Sequence, residues 1–194
     1  HQILTIFAEN FDMASKQQQK VNLLVADLRS GDPKKAKKAI KSLEVHGNAT
    51  VIKPLFAVLK KGELPETLQT KVLELLCSLK DTSVIPEVMD VLEDEDLLEV
   101  RPLVLMSIWN MKVDFSSYID DFVMIATQGD LMEAVDCLTI IENLEGPFME
   151  ENILESQLHL KEYLETGDKS DTQKAEILSE IAVLIKKINM NLMD

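Results

Sequence analysis

The residues most suited to metal or acid–base chemistry are three histidines, His1, His46 and His159. None stands in a His-Glu-x-x-His pattern, which would set two imidazoles on one helix face, and none is followed by Glu. His46 precedes Gly47 at the end of a helical pattern, where a cation suits the helix dipole, so a structural role is expected for it. Cys77 and Cys137 lie inside apolar helical patterns without Cys-x-x-Cys spacing. They read as buried thiols acting as small hydrophobes, although an even count leaves one disulfide open. The run Glu93-Asp94-Glu95-Asp96 lacks the glycine and spaced oxygens of a calcium loop and reads as a solvated turn. Asp120 and Asp121 have no partner type beside them that would mark an acid/base pair. No glycine-rich phosphate loop or Gly-x-Ser-x-Gly occurs. Trp109, beside Ile108, reads as a core residue. These patterns predict a non-enzymatic chain with no catalytic residue, metal or cofactor.

A lysine stripe has better geometry. Between 34 and 43, Ala36, Ala39, Ile40 and Leu43 share one helical face, and Lys34, Lys37, Lys38 and Lys41 lie opposite. Such a stripe is either a solvated face or a dock for an acidic protein surface or a phosphate-bearing ligand. Its setting is uneven in charge. Residues 1–61 carry eleven Lys/Arg and five Asp/Glu, whereas 62–168 carry five and twenty-five, within a formal net charge of −14. The acidic body argues against a groove that tracks nucleic-acid phosphates along the chain.

Length and composition bound the elements that must position these residues. The chain has 194 residues, 46% hydrophobic and 28% charged, enough for a sizeable core. Six glycines and six prolines are too few for an all-β protein with a turn every ten residues. No apolar run reaches the ~20 residues of a membrane helix. The first residues lack a basic start followed by a long apolar stretch, so no secretory signal is read there. A helix-rich protein of the cytoplasm, with no membrane contact, is the expectation.

The apolar residues repeat. Val21-Leu24-Val25-Leu28, Ile52-Leu55-Phe56-Leu59, Ile85-Val88-Met89-Leu92 and Ile119-Phe122-Val123-Ala126 each have i, i+3, i+4, i+7 spacing. A second helix follows each in register, carrying Ala36-Ile40-Leu43, Leu68-Val72-Leu75, Val100-Val104-Ser107 and Ala134-Leu138-Ile141. Ser107 is the weak member, with Ile108 beside it able to take over its packing. Gly31-Asp32-Pro33, Gly62 to Pro65, Glu93 to Asp96 and Gly129-Asp130 punctuate the pairs, and Asp96 with Glu99 has capping-box spacing. The register predicts four repeats, 16–47, 48–80, 81–113 and 114–146. It is lost after Gly146-Pro147, and 147–194 reads as a divergent capping pair. In that pair, a long helix over 148–165 carries Ile153, Leu154, Leu158, Leu160 and Leu164, and Ser170 with Gln173 opens a last helix to about Leu192. Residues 1–15 read as an N-terminal capping helix or as a stretch ahead of a native start at Met13-Ala14-Ser15.

The segment Asp81 to Arg101, with an apolar helix, an early proline, an acidic turn and a Val-Arg pair, resembles the HEAT-like repeat family. Asp32 to Leu43 and Asn48 to Leu59 are similar but weaker copies, and the resemblance covers about 16–145. The family's second-helix arginine is matched at Arg101 alone; Lys37, Gln69 and Val135 take the other places. The resemblance implies an all-α right-handed α-solenoid of about five antiparallel helix pairs, with the second helices on the concave side.

On that implied face the lysine positions become partly apolar in later repeats: Lys34 corresponds to Glu66, Leu98 and Met132, Lys37 to Gln69, Arg101 and Val135, and Lys41 to Leu73, Leu105 and Thr139. The expected function is a protein-interaction module or scaffold. Its partner, another protein or a peptide segment, would meet Lys34, Lys37, Lys38, Lys41, Leu73, Leu98, Leu105, Met132 and Val135. Packing of the apolar members on neighbouring helices is the other reading of that stripe. The alternative function is a nucleic-acid-binding HEAT-like protein, similar to a DNA-repair glycosylase, that uses the basic N-terminal repeat.

Overall fold

The computed structural model describes residues 16–192, except for the side chain of His46. His1 and the reading of 1–15 lie outside the described residues. Every regular element among the described residues is helical. The chain divides into two compact units, one ending at Val104 and one beginning at Leu105.

The first unit contains α1 (16–28), α2 (Pro33–His46), α3 (Ile52–Lys61), α4 (Glu66–Ser78), α5 (Val84–Glu93) and the start of α6 (Arg101–Asn110). Its helices start where local chemistry satisfies the first amides. Asp32 Oδ1 accepts from the amides of Lys34 and Lys35, and Pro33 occupies the first helical position, where its missing N–H costs nothing. Pro54, Pro86 and Pro102 also sit in the first turn of their helices, so no internal hydrogen bond is lost. Gly62 ends α3 at φ 63° and donates its N–H to Leu59 O, a left-handed conformation that favours glycine.

Packing follows the apolar register. Ile52, Leu55, Phe56 and Leu59 of α3 are buried, as are Val88, Met89 and Leu92 of α5. Each such side chain contributes roughly 1.5–3 kcal/mol on burial. α3 packs against α4 and α5, and α2 packs against α4. A 3-10 stretch, Glu95–Val100, packs on α3 and α5, and Lys53 of α3 pairs with Asp94 at its cap, 2.6 Å apart. The expected capping box of Asp96 with Glu99 is not formed. Asp94 Oδ1 instead accepts from the Asp96 amide, because the chain winds through the 3-10 turn before α6 begins.

The second unit contains the rest of α6, α7 (Ile119–Gln128), α8 (Leu131–Glu142), α9 (Glu150–Thr166) and α10 (Thr172–Leu192). α7 packs against α8 and α9, and α10 packs on α8 and α9. The buried rings of Phe115 and Phe122 meet edge to face, 6.3 Å between centroids. Asp130 opens α8 with a capping box: its carboxylate accepts from the Glu133 amide, and Glu133 accepts from the Asp130 amide. Asn152 of α9 donates to Ser117 O and to Asp120 Oδ1. Lys174 of α10 donates to Thr127 O and Gly129 O at the end of α7, where a cation suits the helix dipole. The expected box of Ser170 with Gln173 is replaced by Asp171, whose carboxylate accepts from the Lys174 amide one residue later.

Ser107 and Ile108 are both buried, so the weak register position is filled from both sides. Trp109 corrects the expectation of a core residue: it is exposed, because the buried side of α6 is set by Val104, Leu105 and Ile108. Cys137 is buried and Cys77 half-buried, both as thiols. Among the described residues, no helix is long and apolar enough to cross a membrane.

Candidate functional site

The lysine stripe is the clearest charged feature of the first unit. Ala36, Ala39, Ile40 and Leu43 are buried, which fixes the rotation of α2 and turns Lys34, Lys37, Lys38 and Lys41 to solvent. All four are exposed, and none forms an ion pair with a described residue. Four uncompensated ammonium groups on about two turns of helix make a local positive field on a chain of net charge −14. Elsewhere in the unit, Lys53 and Lys60 are engaged internally, Lys53 with Asp94 and Lys60 by donating to Asp96 O. Lys53 is held above its ordinary value, first by its hydrogen bond to Asp94, and the Asp94 carboxyl lies below its ordinary value chiefly through Lys53.

The apolar members of the expected stripe divide. In the first unit, Leu73 is half-buried on α4. Leu98 is 43% exposed, but it stands in the 3-10 stretch rather than on a second helix. In the second unit, Met132 is exposed and Val135 half-buried, both on α8. Leu105 is the correction: it is 0% exposed and belongs to the core. A place on the solvent face was expected from its match to Lys41, but α6 buries Val104, Leu105, Ser107 and Ile108, a wider arc than one stripe.

Beside Val135, Asp136 has its carboxyl pushed above the ordinary carboxylate value, first by desolvation and then by Asp130 and Glu133. This cluster makes the start of α8 acidic and sets its electrostatics apart from those of α2.

Sequence reasoning missed one concave feature. A cleft of about 340 Å³ opens between the turn before α2 and the turn before α4. Its wall is largely apolar, from Leu28, Pro33, Ala36, Val58, Leu64 and Leu68, with Arg29, Asp32 and Glu63 also lining it. The only sequence signal was a leucine, Leu64, inside a turn otherwise made of Gly62, Glu63 and Pro65. That leucine is buried.

Compared with known proteins, the chain matches no family, no curated protein and no solved structure.

Proposed function

We propose that the chain is a non-enzymatic protein-interaction module whose first unit docks an acidic segment of another protein on the exposed face of α2. The observation that carries this reading is the set of four exposed lysines without ion-pair partners among the described residues, in an otherwise acidic chain. Charge of this kind raises encounter rates and selects an acidic partner, and salt weakens it. Leu73 and Leu98 supply apolar contact in the same unit, and Met132 and Val135 offer a separate contact on α8. The architecture we propose is a right-handed α-solenoid of HEAT-like repeats, 16–47, 48–80, 81–113 and 114–146, closed by the pair 147–194. Matched burial of the first-helix and second-helix registers supports it. We place the module in the cytoplasm, in keeping with two cysteines held as thiols.

The test is selection of displayed random peptides against the full chain, repeated on a variant carrying Lys34→Glu, Lys37→Glu, Lys38→Glu and Lys41→Glu. These positions are exposed, so circular dichroism should show an unchanged helix content. Acidic sequences should be enriched on the parent and lost on the variant. Enrichment that ignores charge, or that survives all four substitutions, contradicts the reading.

A further inference from the structure

We infer that the cleft at the starts of α2 and α4 holds one bulky apolar side chain of the acidic segment, an anchor from which its carboxylates run out along the α2 lysines. This rests on the reading of α2 as an acid-docking face and adds what gives that face its affinity and register. Charge alone binds weakly in water, because exposed ion pairs contribute little and are screened. An apolar pocket beside the charges supplies the missing term.

The geometry points the same way. The cleft is mostly apolar and lies at the small end of ligand-site volumes, suited to a side chain rather than to a large cofactor. Leu28, Ala36, Val58 and Leu68 belong to packed helices and Leu64 to the turn before α4, and all five, which line the cleft, are each less than 9% exposed, so the cleft is preformed. Pro33 lies in its wall, and Lys37 and Lys41 follow Pro33 at i+4 and i+8 on the same stripe of α2. At the helical rise, those lysines stand about 6 and about 12 Å further along the axis. An extended peptide covers that span in about two and about four residues. The ligand is therefore an aromatic or branched aliphatic residue with acidic residues about two and four positions away.

The polar groups around the cleft keep the two parts of the ligand in place. Of the charged residues that line the cleft, Asp32 and Glu63 outnumber Arg29 and disfavour a carboxylate inside it, and Asp32 is further committed to the amides of Lys34 and Lys35. An acidic side chain is thus directed outward to the lysines, and the uncharged anchor inward.

Two measurements on the full chain test this. The first uses free indole as the probe and reads methyl resonances by NMR. Shifts should be confined to Leu28, Val58, Leu64 and Leu68 and their neighbours; no shift there at millimolar indole overturns the anchor site without any variant having to fold. The second uses three labelled peptides in fluorescence anisotropy: Trp-Gly-Glu-Gly-Glu, its Trp→Ala form and its Glu→Gln form. The parent peptide should bind about tenfold tighter than the Ala form, the loss typical of a buried anchor. The Gln form should lose the salt dependence. If both glutamate peptides bind equally and the four lysine-to-glutamate substitutions abolish both, the anchor inference fails while acid docking stands. If no glutamate peptide binds, acid docking fails and the anchor with it. A single-stranded DNA 20-mer that outcompetes the parent peptide in a lysine-dependent way assigns the face to nucleic acid and overturns both.

Discussion

Leu98→Glu and Leu105→Glu separate a surface leucine from a core one. Leu105 is fully buried, so its replacement forfeits the burial of a leucine, about 1.5–3 kcal/mol. The introduced carboxyl must then ionise in an apolar site or stay protonated. A carboxyl kept neutral by a rise of three to four pKa units costs about 3.5 kcal/mol at pH 7, a limit set by the gap between pH 7 and the unfolded carboxyl's own pKa. Together these reach about 5–7 kcal/mol, comparable with the whole stability of a small protein. Leu98 is 43% exposed, and its substitution should stay within about 1 kcal/mol. Urea titrations followed by far-UV circular dichroism measure both. The Leu105→Glu chain should be unfolded or have a sharply lower midpoint at pH 7, with Leu98→Glu close to the parent. The penalty should also shrink as pH falls, because the introduced carboxyl has its higher pKa in the folded state and protonates there first. A Leu105→Glu chain with the parent's midpoint at pH 7 refutes the placement of Leu105 in the core.

Three further outcomes follow from local chemistry. Asp130→Ala removes the capping box of α8 and should cost about 1 kcal/mol in the same titration. Asp136 has a raised pKa in the folded state, so its stabilising contribution is present below the unfolded value of 3.8 and is lost as pH rises through the folded value. Asp136→Asn should therefore raise the melting temperature at pH 7, with the gain vanishing once pH is below 3.8. Asp94 is the opposite case: its folded pKa is depressed, so its contribution is present above 3.8 and lost as pH falls through the folded value. A carboxyl-carbon NMR titration should place Asp94 below 3.8, and Lys53→Met should move the midpoint upward.

The helical faces were legible because burial on one side of a helix leaves a period in the sequence. Of the residues assigned to the eight core registers, Leu24 and Ile85 are half-buried and all the others buried. The lysine face of α2 was legible for the same reason, since four well-placed core residues fix the opposite side. α6 was not, because adjacent residues Val104 and Leu105, and Ser107 and Ile108, are all buried. A rule that assigns one face to the core then rotates Leu105 outward and Trp109 inward. In α9, Ile153 and Leu160 are buried while Leu154, Leu158 and Leu164 are exposed, so the apolar pattern there overstated the core. The cleft had no local signature. It arises where two turns about thirty residues apart come together, and no spacing within either turn encodes that meeting.

The central claim is that α2 is an acid-docking face, and the most direct measurement is the affinity of the labelled Trp-Gly-Glu-Gly-Glu peptide as a function of salt. The parent chain should bind it at low ionic strength and weaken steadily as salt rises. The chain carrying Lys34→Glu, Lys37→Glu, Lys38→Glu and Lys41→Glu should lose that affinity while keeping its circular dichroism spectrum. Binding that is indifferent to salt and unchanged in the substituted chain contradicts the account.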